Sequence, residues 1–169
     1  ANSLWFWGAG TRPMLTSFEE KTGHKGAMIS AVDLLKGIAV GAGMKVIEVE
    51  GANGGLDTNY EGKADAAVDV LLNGGCDFAY IHLEAPDEMG HQGSYERKVK
   101  AIENLDKRII KRVVEKMEAA GEDFRMLVLP DHPTPVAIRT HVSDPVPYML
   151  YDSTDKKNNT WSYNEKDGE

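Results

Sequence analysis

The sequence has only one cysteine, fewer basic than acidic residues and no long apolar run. Each of these shortages argues against a class of protein. Cys76 is the single cysteine in 169 residues, so no internal disulfide can form, which is typical of a reducing cytoplasm. The 27 acidic residues outnumber the 19 basic ones, and the net charge of −8 argues against nucleic acid as a partner. The most apolar stretch, residues 28–44, contains Asp33 and Lys36, which argues against a membrane span. We therefore expect a cytoplasmic protein with no nucleic-acid or membrane partner.

The overall composition is that of a globular domain. Apolar residues make up 41% of the chain and charged residues 27%, and 169 residues are enough for one domain with a core of useful size. The sequence becomes strongly polar from residue 152 onwards. We therefore predict that residues 1–151 form the domain and that residues 152–169 form a polar surface tail.

Strand-like runs alternate with helix-like runs along the chain. The strand-like runs lie at residues 4–7, 45–49, 78–83, 126–129 and 146–151. Helices are predicted after Ser30, interpreted as an N-cap, at residues 64–72, and at residues 94–119, where apolar residues recur at steps of three and four. Strands joined by helices predict an α/β fold with a mainly parallel sheet and helices on both faces.

Aspartate and histidine side chains follow two of the predicted strands. The residues in question are Asp87, His91, Asp131, His132 and His141. Because ligands gather at the carboxyl ends of parallel strands, these side chains are expected to share one edge of the sheet. Carboxylate oxygen and imidazole nitrogen together suit divalent cations such as Mn²⁺ and Zn²⁺. Each segment alone fits an ordinary loop better than a metal site, but the combination predicts a metal site.

A wider set of motifs resembles a known family. The segment His-Leu-Glu-Ala-Pro-Asp-Glu-Met-Gly-His at residues 82–91, the pair Asp131-His132, and His141 with Pro-Val-Pro at residues 145–147 resemble the cofactor-independent phosphoglycerate mutases, in particular their archaeal-type branch. The resemblance covers nearly the whole chain. It implies an alkaline-phosphatase-like α/β fold, two divalent metal ions, and the interconversion of 2- and 3-phosphoglycerate in glycolysis through a phosphoenzyme.

The resemblance also implies a ligand set. Asp87, His91 and His141 resemble the ligands of one metal ion, and Asp131 and His132 resemble two ligands of the second. The family's Ser or Thr nucleophile and its N-terminal metal-binding Asp have no counterpart in this sequence. We therefore expect an incomplete version of the fold, the C-terminal part of a longer polypeptide, whose N-terminal half is a required partner and which has little activity alone.

Two basic residues are candidates for binding the phosphoglycerate substrate. Arg12, followed by Pro13, resembles an Arg-Pro pair of the family whose guanidinium grips acidic groups, and a planar guanidinium suits phosphate or carboxylate. Lys36 is a candidate for the family's active-site lysine, although it is displaced by about half a helical turn. A solvated surface residue is the alternative reading of each.

Three other functions remain open on the sequence. Another phosphomutase or phosphatase of the alkaline phosphatase superfamily would share the metal ligands. A homoserine kinase needs a phosphate-binding loop, and residues 51–55 lack the Gly-Lys-Ser/Thr ending of such a loop. A non-catalytic metal-binding module is consistent with the missing nucleophile.

Overall fold

Helices and strands alternate along the part of the chain that the structure, a computed structural model, describes: residues 10–11, 14–155 and 162–166. The helices are α1 (Phe18–Thr22), α2 (Asp33–Gly41), α3 (Tyr60–Leu72), α4 (Ala85–His91), α5 (Tyr95–Asn104) and α6 (Lys111–Ala120), with a π-helical turn (Leu105–Ile110) between α5 and α6. The strands are β1 (Gly26–Ile29), β2 (Lys45–Val46), β3 (Phe78–Ile81), β4 (Arg125–Val128) and β5 (Met149–Asp152). The strand predicted at residues 4–7 lies outside the described residues. None of the helices within these ranges has the length and apolar character that a membrane crossing requires.

A parallel three-stranded sheet with the order β2-β1-β3 confirms the predicted α/β class. In the β1–β3 pair, Gly26 lies opposite Phe78 and Ile29 opposite Ile81. All four residues of β1 are buried, as expected for the middle strand of a parallel sheet, whose two faces are both covered. The carboxyl ends of β1 and β3 therefore open onto the same edge, at Ser30 and His82.

The last two strands form a separate antiparallel pair. Arg125 lies opposite Asp152 and Val128 opposite Met149, and the guanidinium of Arg125 reaches the carboxylate of Asp152 at 2.7 Å. Parallel neighbours require a crossover, usually a helix, and residues 129–148 contain only turns and irregular structure, so the chain reverses and pairs with itself. The division predicted at residue 152 stays a prediction.

Two helix predictions had different outcomes. The helix predicted at residues 94–119 is confirmed as one helical stretch that widens at the π-helical turn. The prediction that Ser30 caps α2 is wrong, because α2 begins at Asp33 and its N-cap position is Val32. The Ser30 hydroxyl instead accepts a hydrogen bond from the Val32 amide at 3.0 Å, an interaction that competes with helix formation.

The main core lies between α3, α4 and the long helical stretch. Its buried residues are Tyr60, Ala64, Val68, Ala85, Met89, Ala101, Ile109, Val113 and Met117. Two bidentate ion pairs close the edge of this contact, Arg108 with Glu61 and Arg112 with Asp65. Because Ala85 and Met89 belong to this core, α4 is held firmly with its opposite face free for polar side chains.

Candidate metal centre

Helix α4 places the first two predicted ligands side by side. Pro86 in the first turn is compatible with the start of a helix, because the first amides have no partner within the helix. Asp87 near the N-terminus and His91 at the C-terminus have the charge preference that the helix dipole favours. Residues four apart share a helix face, and the Nε2 atom of His91 lies 3.3 Å from an oxygen of Asp87.

The loop after β4 brings His141 to the same point. Its Nε2 atom lies 3.3 Å from an oxygen of Asp87 and 3.0 Å from the Nε2 atom of His91. One donor atom from each of the three residues lies within 4.8 Å of the other two. Asp87 and His91 are half-buried and His141 is exposed, so the three donors converge at a position that solvent or a ligand can reach.

The spacing of these atoms fits a divalent cation. Ligand atoms about 2.0–2.2 Å from Zn²⁺ in a tetrahedron lie about 3.3–3.6 Å apart. Around an octahedral ion with ligands at about 2.1 Å, neighbouring ligands lie about 3.0 Å apart. The shortest contacts among Asp87, His91 and His141 are 3.0–3.3 Å and involve both oxygens of Asp87, so they lie closer to the octahedral spacing than to the tetrahedral one. Three protein ligands also leave coordination positions for water or substrate.

A backbone carbonyl fixes the tautomer of His91. Its Nδ1 atom lies 3.0 Å from the carbonyl oxygen of Arg139. Since a carbonyl oxygen only accepts hydrogen bonds, Nδ1 carries the proton and Nε2 offers a lone pair towards the cluster. Arg139 adopts a left-handed conformation with φ of 58°, which is rare for residues other than glycine. The loop thus accepts some backbone strain where it meets His91.

Thr134, which the sequence analysis did not single out, orients Asp87. Its side chain is 2% exposed, and its hydroxyl donates a short hydrogen bond to an oxygen of Asp87. Its carbonyl accepts a hydrogen bond of 2.6 Å from Lys98. Burial lowers the pKa of Lys98, and the Asp87 carboxylate offsets part of this shift. A side chain at Gly90 would collide with the Thr134 carbonyl, so glycine permits the loop to approach α4.

Asp131 and His132 lie beside this cluster. The ring of His132 lies 3.7 Å from the ring of His141, centroid to centroid, and its Nδ1 atom is 3.9 Å from an oxygen of Asp87. The side chain of Asp131 is 82% exposed, and its carboxylate is 3.9 Å from Nε2 of His132. Within the described residues, the atoms that could hold one ion together come from Asp87, His91 and His141. The assignment of Asp131 and His132 to a second ion stays a prediction.

Of the two predicted substrate-binding residues, Lys36 lies within the described part of the chain. Arg12 lies outside the described residues. Lys36 lies on α2, and its ammonium group binds both oxygens of Glu48, at 2.8 and 3.0 Å. This hydrogen bond with Glu48 raises the pKa of Lys36.

A second polar group lies at the carboxyl ends of β1 and β3. The Ser30 hydroxyl is 3.3 Å from Nδ1 of His82, and that nitrogen is 3.5 Å from the Glu84 carboxylate. Lys63 donates a hydrogen bond of 3.1 Å to the His82 carbonyl. Burial lowers the pKa of His82 and Lys63 and raises the pKa of Glu84, so burial disfavours the charged form of each group. The sequence analysis missed this group, because Lys63 precedes the helix predicted at residues 64–72, whereas α3 begins at Tyr60 and holds Lys63 among its buried residues.

Comparison with known proteins assigns the chain to a metal-dependent group. A family model described as "Metalloenzyme superfamily" matches residues 1–167. A solved structure of a protein from Pyrococcus horikoshii matches with a TM-score of 0.79 and 30% identity, covering 94% of this chain and 41% of that one.

Curated relatives share about half of their aligned residues with the chain. It is 56% identical over 156 residues to a 2,3-bisphosphoglycerate-independent phosphoglycerate mutase of Methanosarcina barkeri, over 92% of this chain and 38% of that protein. It is 51% identical over 158 residues to a probable enzyme of the same name in Geobacter sulfurreducens, over 94% of this chain and 39% of the relative. The chain thus spans less than two fifths of these relatives, which agrees with the expectation of a part of a longer polypeptide.

Proposed function

The chain belongs to the Metalloenzyme superfamily, and on that premise we propose that it forms the metal-binding part of a 2,3-bisphosphoglycerate-independent phosphoglycerate mutase. Such an enzyme interconverts 2- and 3-phosphoglycerate, which places it in glycolysis and in the cytoplasm. Relatives named for this activity support the proposal at 51–56% identity. Because the chain spans about 38% of their length, the reaction is proposed for the longer polypeptide, whose N-terminal half supplies the nucleophile.

The observation that carries the proposal is the convergence of Asp87, His91 and His141, where one donor atom from each residue lies within 4.8 Å of the other two. These three residues would hold one of two divalent ions, Mn²⁺ or Zn²⁺. Asp131 and His132 would contribute to the second ion, whose remaining ligands lie in the N-terminal half. When bound, such a pair of ions stabilises negative charge on phosphoryl oxygens and makes a nucleophilic hydroxyl more acidic.

The residues of this chain prepare the site in three ways. The Arg139 carbonyl holds the proton of His91 on Nδ1, which leaves Nε2 free to bind. The Thr134 hydroxyl fixes the rotamer of the Asp87 carboxylate. The guanidinium of Arg12 is proposed to grip the phosphate or carboxylate of phosphoglycerate, and Lys36 would have to exchange Glu48 for the substrate to take part.

Isothermal titration calorimetry with Mn²⁺ and Zn²⁺ tests the metal centre on the chain itself. We expect binding by the wild type and a loss of affinity in Asp87→Asn and His141→Gln that exceeds the about 10–100-fold typical of an outer-sphere partner. His24→Gln is a matched control, because His24 is exposed and its nearest carboxylate is 3.9 Å away, on Asp77. Equal affinities in the wild type and both ligand variants would show that these residues hold no ion.

A mutase assay then tests the reaction. We expect little or no conversion of 3-phosphoglycerate by the chain alone, and conversion when the chain is joined to the N-terminal half of a relative. Hydrolysis to glycerate without isomerisation would favour a phosphatase of the same superfamily. Metal binding without either activity in the joined protein would favour a metal-binding module.

A further inference from the structure

Lys63 is a charged residue in an apolar setting. It lies on α3 between core residues of the same helix, and its side chain is 0% exposed. Among the described residues, its one hydrogen bond goes from the ammonium group to the carbonyl of His82, at 3.1 Å. Burial of an ammonium group is unfavourable, and an apolar side chain of similar volume often serves stability as well or better. The charge at this position therefore calls for a reason other than stability.

Glu84 supplies the opposite charge. Its carboxylate raises the pKa of Lys63 against the larger effect of burial, and one of its oxygens is inaccessible and has no hydrogen-bond donor within the described ranges. The other oxygen lies against Gly54 in the loop at residues 51–58, so that a side chain at position 54 would displace the carboxylate. The loop is thus shaped to enclose the carboxylate.

The residues that Lys63 contacts connect the sheet to the metal centre. His82 is the first residue after β3, and Glu84 directly precedes α4, the helix that carries Asp87 and His91. Helix α4 has only seven residues and no side-chain cap at its N-terminus. A helix this short is unstable by itself, so its position depends on tertiary contacts. The bond from Lys63 to the His82 carbonyl is such a contact at the point where the chain leaves the sheet.

We propose that buried Lys63 positions the metal ligands of α4 by fixing the turn between β3 and α4. Lys63 holds the turn through the His82 carbonyl, and Glu84 balances the charge that this bond brings into the interior. Lys63 is a positioning residue, since its hydrogen bond goes to the turn and not to the atoms that would hold the ion. The inference rests on the proposed metal centre at Asp87, His91 and His141.

The decisive comparison is between Glu84→Gln and the double variant Lys63→Met/Glu84→Gln, measured by calorimetry with Mn²⁺ and Zn²⁺. The two variants differ only in the donor at position 63. Glu84→Gln removes the negative charge, but the Lys63 amine still donates to the His82 carbonyl, whether it is charged or neutral. We expect Glu84→Gln to bind within about threefold of the wild type, and the double variant to bind about 10–100-fold more weakly. Lys107→Met, which removes an exposed lysine, is the control and should bind like the wild type.

Stability and ligand geometry must be measured on the same proteins. Urea unfolding reports whether the double variant is folded, and the visible absorption of bound Co²⁺ reports how α4 presents its ligands. We expect the double variant to be folded and to show an altered Co²⁺ spectrum. If Lys63 contributed only to stability, the spectrum of the folded variant would not change. Equal affinity and equal spectra in Glu84→Gln and the double variant would overturn the inference and leave the metal centre standing. Failure of the wild type to bind any of these ions would remove both.

Discussion

The hydroxyl of Thr134 offers the most direct test of how the surrounding structure prepares the metal centre. Thr134→Val removes the hydroxyl and keeps nearly the same shape in a site where the native side chain is 2% exposed. The variant therefore takes away the hydrogen bond to Asp87 without opening a cavity. The variant also removes the 3.3 Å contact between this hydroxyl and Nδ1 of His132, which water can replace because the His132 side chain is 31% exposed. The carboxylate of Asp87 is then free to change its rotamer.

The size of the effect follows from burial. Outer-sphere partners of metal ligands are typically worth about 10–100-fold in affinity, which is about 1.4–2.7 kcal/mol. The Asp87 side chain is 32% exposed, so water replaces part of the lost hydrogen bond. We therefore expect a loss near the lower end, about tenfold in the affinity for Mn²⁺ or Zn²⁺. Without metal, the loss of this bond should reduce the free energy of unfolding by about 1 kcal/mol.

Calorimetry gives the affinity and urea unfolding gives the stability of each variant. Thr134→Ser is the matched control, because it retains the hydroxyl and loses only a methyl group that packs near Gly90. It should bind metal like the wild type and lose only stability. If Thr134→Val binds within about twofold of the wild type, or if Thr134→Ser loses as much affinity as Thr134→Val, the hydroxyl does not orient Asp87 and this reasoning is wrong.

Two further predictions concern packing and charge. Gly90→Ala should lower the free energy of unfolding in urea titrations by about 1–3 kcal/mol, because the added methyl group would meet the Thr134 carbonyl. Gly37→Ala is the control. Position 37 has open space around it within α2, so the substitution should raise the free energy of unfolding by up to about 1 kcal/mol. The hydrogen bond from Arg112 lowers the pKa of Asp65 to about 2, so this ion pair contributes fully above about pH 4 and its contribution is lost as the pH falls from about 4 to about 2. Since the Asp65 side chain is 39% exposed, solvent screening limits the contribution of the ion pair to about 1 kcal/mol. At pH 7, Asp65→Asn should therefore be less stable than the wild type by about this amount. Near pH 2, the two proteins should be equally stable. A stability difference that does not change with pH would contradict this assignment.

The sequence was informative where structure depends on near neighbours. Alternating strand-like and helix-like runs predicted the α/β class, and the periodic apolar residues predicted the long helical stretch that ends at Ala120. Helix α4 was not predicted, and Asp87 and His91 share a face only because the segment that carries them is helical. Local reasoning failed at Ser30, whose hydroxyl satisfies the Val32 amide in a turn where a helix start was expected.

Contacts between distant residues were decided by tertiary packing. His141 lies 50 residues from His91 in the sequence and reaches it because the loop after β4 folds back over α4. Thr134 became important for the same reason, and nothing in the short run Pro133-Thr134 marks its hydroxyl as a partner of Asp87. The pairing of β4 with β5 depended on residues 129–148 forming no helix, which strand patterns alone do not reveal.

The sequence by itself determined the kinds of donor, because residue chemistry is a local property. The expected shared edge of one parallel sheet did not form, because β4, the strand before Asp131, lies in a separate antiparallel pair. Only the tertiary structure decided that Asp87, His91 and His141 come together, that Thr134 and the Arg139 carbonyl contact two of them, and that Lys63 is buried. The physical reason is that burial and long-range approach depend on how helices and loops pack together. A spacing of 50 residues along the chain contains no information about a distance of 3 Å in space.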